Sequence, residues 1–203
     1  MQDIHPQHKS VFEVIAQVGE KIDQEVYVVG GYVRDFYLDR LKKEEDLDID
    51  FVTVGSGIRL AQKVADHLGT DRLSVFKQFG TAHIRYRGMD LEFVGARKES
   101  YRRNSRKPIV EDGTLQDDQL RRDFTINALS WSLNRESYGQ LIDPFGGTRD
   151  LKKHLIRTPV DPLSTFDDDP LRMMRAIRFA AQLQFDIEEG TYRAIGKMAE
   201  RIN

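Results

Sequence analysis

Asp48 and Asp50 stand two residues apart in Leu47-Asp48-Ile49-Asp50-Phe51-Val52-Thr53-Val54, a segment whose alternation reads as a β-strand. Residues i and i+2 of a strand face the same way, their Cα atoms roughly 6.6 Å apart at ~3.3 Å rise per residue. Two carboxylates so placed can share a pair of hard cations ~3.5–4 Å apart, the arrangement that clamps the attacking and leaving oxygens of a phosphoryl transfer. Without a cation they repel each other. The other reading is a solvated acidic strand end, to which Glu45 and Asp46 would also belong. Glu92, in Asp90-Leu91-Glu92-Phe93, offers a third carboxylate if its strand lies alongside, although Asp90 faces the same way.

Just upstream, Val26-Tyr27-Val28-Val29 runs into Gly30-Gly31. Two residues without side chains let a ligand approach the backbone, and the N–H groups opening the next helix would point at an anion. Arg34, on the first turn of that helix, presents a guanidinium fork that grips phosphate oxygens. A plain strand-to-helix turn uses the same glycines.

Two further segments carry arginines. Arg121-Arg122-Asp123-Phe124-Thr125-Ile126-Asn127-Ala128-Leu129 puts a basic pair where a helix is expected to begin, with Asp123 as a candidate cap. In Asp168-Asp169-Pro170-Leu171-Arg172-Met173-Met174-Arg175-Ala176-Ile177-Arg178-Phe179, Asp169 followed by Pro170 is a strong helix start. Arg172, Arg175 and Arg178 recur every three residues, each about 60° around the axis from the last, and form a basic ridge. Asp169 and Arg172, one turn apart, supply an acceptor and a donor set able to read the edge of a base. A capping aspartate followed by solvated arginines is the simpler alternative.

These residues need a scaffold, and the patterning supplies one. Val11, Phe12, Val14, Ile15 and Val18 recur at helical spacing, and Gly55-Ser56-Gly57 turns the Asp48–Asp50 strand into a helix reaching about Leu68. Further strands are predicted over 73–76, 81–87 and 91–94, interleaved with helices in a mixed sheet. From Ala96 to about Asp118 the pattern is lost, and a long functional loop is expected. Within it, residues 97–107 set six basic residues, Arg97, Lys98, Arg102, Arg103, Arg106 and Lys107, against Glu99 alone. A helix is predicted over 123–133, a short strand at Leu141-Ile142 closing in a turn, and, beyond Pro159 and Pro162, helices from Pro170 to about Gln184 and from Glu188 to the end.

The 203 residues, 39 % hydrophobic and 32 % charged with a net charge of −2, suit one or two globular domains. No cysteine is present, which rules out disulfides, thiolate metal sites and a cysteine nucleophile and points to a reducing, cytoplasmic compartment. No run approaches the ~20 apolar residues of a membrane helix. A P-loop is excluded by the lack of Gly-x-x-x-x-Gly-Lys. His83, on a strand, is the histidine nearest the acidic residues, and packing is its expected use.

Taken in order, Gly30 to Asp35, Asp48 to Thr53, Arg121 to Leu129, Asp143-Pro144-Phe145-Gly146-Gly147 with Asp150-Leu151, and Asp168 to Phe179 resemble the class II nucleotidyltransferases. This family comprises tRNA CCA-adding enzymes and bacterial poly(A) polymerases. The resemblance implies an α+β fold: a polymerase-beta type head over residues 1–157, its mixed sheet flanked by helices, and the start of an all-helical neck over 158–203. It implies that Asp48 and Asp50 ligate two Mg2+ ions, with Glu92 beside them as a catalytic candidate. Gly30, Gly31, Arg34, Arg122, Arg175 and Arg178 become nucleotide contacts, and Asp169 with Arg172 the pair that reads the base of CTP or ATP. The basic segment at 97–118 lies where family members carry a flexible element linked to adding the final A.

Asp168 stands where the family often has Glu. Family members also continue past the neck into regions that hold tRNA, so a longer chain is expected, with weak RNA binding by these residues alone. The activity implied is Mg-dependent, template-independent addition of nucleotides to an RNA 3′ end, with tRNA CCA addition first. Poly(A) addition and a catalytically silent nucleotide- or RNA-binding module are the alternatives. Oligomeric state is left open.

Overall fold

The computed structural model describes residues 4–41, 47–102 and 105–202, with the side chains of 99–102 and 105–110 undescribed. Glu45, Asp46 and Arg103 therefore lie outside the described residues, as do the side chains of Arg102, Arg106 and Lys107.

The chain opens with α1 (Pro6–Lys21), entered through Pro6, and β1 (Val26–Val29). Gly30 turns it into α2 (Gly31–Tyr37), and β2 (Leu47–Thr53) follows. The helix α3 (Gly57–Leu68) is capped by Ser56, whose Oγ accepts from the Arg59 N–H at 3.2 Å, and closed by Gly69. Then come β3 (Leu73–Phe76), β4 (Thr81–Tyr86) and β5 (Met89–Gly95). One seven-stranded sheet runs β3-β4-β5-β2-β1-β8-β9, where β8 is Ser130–Ser132 and β9 is Leu141–Ile142. Only β2 and β5 run parallel within it, α3 providing the crossover.

Register fixes which side chains meet. Ser74, His83, Glu92, Asp50, Val29, Ser130 and Ile142 form one row across all seven strands, so Glu92 and Asp50 stand side by side on one face. On the other face Val28, Phe51, Phe93, Ile84 and Leu91 are buried beneath α1 and α3. There Phe51 stacks on Phe93 with centroids 5.1 Å apart, and Phe12 of α1 meets both Phe51 and Tyr32 edge-on.

Three sequence expectations are corrected. The stretch 96–118 is a hairpin, β6 (Arg97–Arg102) with β7 (Ser105–Asp112), followed by α4 (Leu115–Leu120). Its register sets Arg97 opposite Asp112 and Lys98 opposite Glu111, so opposite charges in register replace the apolar alternation that marks most strands. The stretch 123–133 is a 3-10 turn at Thr125–Asn127 and then β8, because Leu129, Trp131 and Leu133 alternate into the core beside β1. Beyond the short α5 (Gly147–Lys152) and β10 (Leu155–Ile156), the C-terminal segment is not all helical. It holds α6 (Pro162–Asp168), α7 (Leu171–Leu183) and α8 (Glu189–Met198), but β11 (Asp186–Ile187) pairs parallel with β10. Ala176, Phe179, Leu183 and Phe185 share the main core with the sheet. No helix among the described residues is long and apolar enough to cross a membrane.

Two glycines test this packing with opposite signs. A methyl group on Gly57 would lie 2.8 Å from the Val94 backbone, whereas one on Gly196, exposed in α8, would meet nothing within 4 Å. Gly57→Ala is expected to destabilise the protein by about 1–3 kcal/mol through overpacking. Gly196→Ala is expected to stabilise it by about 0.5–1 kcal/mol through helix propensity. Urea titration of both variants checks the pair.

Candidate active site

A cleft of about 700 Å3 opens between the acidic face of the sheet, the Gly30 bend and α7. Gly30 sits at φ +72°, and a Cβ there would come within 3.1 Å of Arg122 Nη1 and 3.5 Å of Asp50 Oδ2. The backbone angle calls for glycine, and a Cβ would also crowd Arg122 Nη1. Gly31 and Arg34 line the same cleft. Arg34 donates from Nε and Nη2 to the carboxylate of Asp35, each at 2.8 Å, and from Nη1 to Asn127 Oδ1 at 2.8 Å.

Asp50 is half-buried against the bend. Burial pushes its carboxyl above the usual aspartate range; Arg122 pulls it back, while the charges of Glu92 and Asp48 add to the rise and His83 offsets part of it. Glu92 lines the cleft beside Asp50. Asp48, on the same strand face, is exposed and stands at the rim rather than among the lining residues. His83 lies between two acids, Nδ1 3.5 Å from Asp90 and Nε2 3.5 Å from Glu92. The described residues form no ready-made cluster of three or more metal-ligating side chains. They offer hard oxygen donors, crowded and only partly neutralised, which suits a cation that completes its shell with substrate oxygens.

The opposite wall comes from the helices. Asp169 is extended, and its Oδ1 accepts from the Leu171 N–H at 3.2 Å, so it caps the start of α7 as expected. Arg172 is 9 % exposed and donates to the main-chain carbonyls of Arg121 (2.8 Å) and Thr165 (3.4 Å). Arg175 pairs with Asp123 at 2.6 Å, and Arg178 lies exposed over the Phe179 ring, 5.0 Å from its centroid. All three arginines and Asp169 line the cleft, as do Arg121 and Arg122. The fold therefore brings together every expected site residue except Asp48, which stays at the edge.

Several residues that shape the cleft went unremarked in the sequence reading. Asp118 of α4, fully buried, takes both Arg121 and Arg122; its spacing of three and four residues from them was the available signal. Asn127 joins Arg34 to Asp123, accepting from the first and donating from Nδ2 to the second at 3.1 Å. The Asp143-to-Leu151 motif serves as scaffold. Asp143 accepts from the Gly147 and Thr148 N–H groups at the start of α5, and buried Asp150 accepts from Thr125 Oγ1 at 2.8 Å.

Comparison with known proteins places this arrangement in a family. A model described as the poly A polymerase head domain matches residues 26–157. The A-adding tRNA nucleotidyltransferase of Aquifex aeolicus (strain VF5) is 46 % identical over 169 residues, covering 83 % of this chain and 20 % of that protein. The CCA-adding enzyme of Lactobacillus helveticus (strain DPC 4571) is 40 % identical over 185 residues, covering 89 % and 43 %. Among solved structures, a CCA-adding enzyme in apo form II superposes with a TM-score of 0.88 at 36 % identity, covering 98 % of this chain and 46 % of that one. A tRNA nucleotidyltransferase complexed with a primer tRNA and an incoming ATP analog gives a TM-score of 0.78 at 39 % identity, covering 92 % and 50 %. The chain spans less than half the length of these curated relatives. On these matches it belongs to the poly(A) polymerase head-domain family.

Proposed function

We propose that this chain is the nucleotide-transferring part of a Mg-dependent, template-independent nucleotidyltransferase that extends the 3′ end of tRNA from CTP and ATP. In this reading residues 1–157 are the catalytic head and 158–203 the start of the neck, in a cytoplasmic protein. The observation that carries it is the approach of both Asp50 Oδ2 and Arg122 Nη1 to Gly30, which sets an anion-crowded edge and a cation beside a bend open to a ligand. The similarity to a structure described with primer tRNA and an ATP analog supports the same substrates.

Asp48 and Asp50 would hold two Mg2+ ions. Bound magnesium lowers the pKa of the terminal ribose hydroxyl and neutralises the triphosphate. Gly30 and Gly31 let the phosphates approach the main chain, while Arg34 and Arg122 offset their charge and fix their direction. The ribose hydroxyl gives up its proton to solvent, its oxygen forms the new bond to the α-phosphorus in line with the bond that breaks, and pyrophosphate leaves with that electron pair. Arg175 and Arg178 contact the nucleotide from α7, and Asp169 with Arg172 presents an acceptor and donors to the base edge in place of a template. Glu92 adds negative charge beside Asp50 and keeps that side of the cleft selective for a cation.

The 46 % identity to an A-adding enzyme favours a second reading, in which only the terminal A is added. The full-length protein, given tRNA lacking CCA and tRNA ending in CC, separates the two. Three additions from CTP plus ATP on the first substrate are expected for CCA addition. Incorporation of AMP only on the second indicates A addition, an unbounded A ladder indicates poly(A) synthesis, and no incorporation on either overturns the proposal.

Two variants test the acidic pair. Asp48→Asn with Asp50→Asn is expected to lower incorporation by about a thousandfold or more, the scale of removing a metal-held charge clamp; incorporation near the wild-type rate refutes the assignment. Asp50→Asn alone is expected to melt higher at neutral pH. The Asp50 carboxyl lies above its unfolded value, so its contribution is most favourable at low pH and is lost as pH rises through the folded value. Removing that charge relieves the crowding, by a few degrees at about 2–4 °C per kcal/mol in a protein this size. The gain should vanish on acidification, as calorimetry would read.

A further inference from the structure

Arg122 enters the cleft with only part of its guanidinium. Its Nε and Nη2 both donate to Asp118 Oδ2, at 3.1 and 2.9 Å, while Nη1 faces Gly30 and Asp50. Arg121 uses the other carboxylate oxygen, donating from Nε to Asp118 Oδ1 at 2.9 Å and contacting it again through Nη2. Asp118 itself is fully buried in α4, behind the cleft and outside its lining, whereas both arginines reach it. We infer that Asp118 is the positioning residue of the site: one buried carboxylate clamps the inner edges of two arginines so that the outer edge of Arg122 is presented, preorganised, to the phosphates of a nucleoside triphosphate.

The other ion pairs of the cleft are built differently. Asp35 takes Arg34 and Asp123 takes Arg175. Asp118 takes two guanidinium groups, and the part of Arg122 that it leaves is Nη1, beside the glycine bend. A planar fork held along one edge cannot rotate, so little side-chain entropy remains to be lost when an anion binds the other. Asp118 also reaches the opposite wall, since the main-chain carbonyl of the Arg121 that it holds accepts from Arg172 at 2.8 Å. Burial raises the Asp118 carboxyl, yet Arg122 and Arg121 outweigh it and hold the group below the usual aspartate range, so it stays charged through the working pH.

The inference rests on the nucleotide reading, and the experiment separates the two. Binding of ATP with Mg2+, and of adenosine as a probe without phosphates, is measured by calorimetry on the full-length wild type, Asp118→Asn, Arg122→Ala and the double variant. Asp118→Asn is expected to weaken ATP binding about tenfold and leave adenosine binding unchanged. Because Asp118 acts through Arg122, the double variant should bind ATP no worse than Arg122→Ala alone. Losses that multiply in the double variant, or equal weakening of ATP and adenosine, overturn the role of Asp118 while leaving the nucleotide reading intact. A wild type that binds no ATP overturns both. Should Asp118→Asn fail to fold, the arginine Nε–H signals of the wild type decide. Slow exchange at Arg121 and Arg122 that persists on adding ATP is expected, and release of both from Asp118 by ATP refutes the clamp.

Discussion

The site is governed by an electrostatic mismatch that the backbone holds in place. Asp50, Glu92 and Asp48 share one face of two adjacent parallel strands, and the cation nearest the innermost of them is Arg122, across a bend with no side chain to separate them. Burial and like charge both act against ionisation of Asp50, and a single guanidinium offsets them only in part. A folded protein that keeps such a crowded edge loses stability there and gains affinity for whatever brings positive charge. In the proposed reading, a divalent cation accompanied by polyphosphate would answer both sides of the cleft, the acids with metal and the arginines with phosphate oxygens.

The rest of the structure keeps those charges from relaxing away from one another. Parallel register locks Asp50 to Glu92, and the aromatic layer on the reverse face, with Phe51 stacked on Phe93, prevents β2 and β5 from sliding. Facing them, α7 is anchored by Met173, Ala176 and Phe179 in the core, and Arg172 and Arg175 are tied to Arg121 and Asp123. Both walls meet in the short segment from Asp118 to Asn127, where acids and bases alternate closely enough that nearly every charged group has a fixed partner.

Much of this was legible in the sequence, for reasons that can be named. The β-branched run ending in two glycines, the Asp-x-Asp alternation and the Asp-Pro helix start each rest on local rules of backbone and side-chain direction, and each formed where expected. The hairpin at 97–112 was illegible because opposite charges paired across its strands, Arg97 with Asp112 and Lys98 with Glu111, stand where an apolar alternation would mark a strand. The 123–133 stretch misled because Phe124, Ile126 and Leu129 fit helical spacing as well as they fit a strand, and only the vacancy beside β1 decided the matter. Asp118 escaped notice because a carboxylate in an Asp-Asp-Gln run reads as surface, and its spacing of three and four residues from Arg121 and Arg122 was the one local sign that they fold back over it. The short β11 likewise depends on a partner some thirty residues earlier.

The order of the strands in the sheet has a consequence for synthesis. A ribosome releases Asp48, Asp50 and Glu92 well before Arg121 and Arg122, and the α7 arginines later still. β1 is meanwhile left with one flank open until β8 arrives about a hundred residues after it. A nascent chain stalled near residue 100 thus carries a carboxylate row without Arg122 over the bend and a bare sheet edge beside it. Such an intermediate is prone to wrong pairing along that edge, and it becomes quiet only when the last-made cations are delivered.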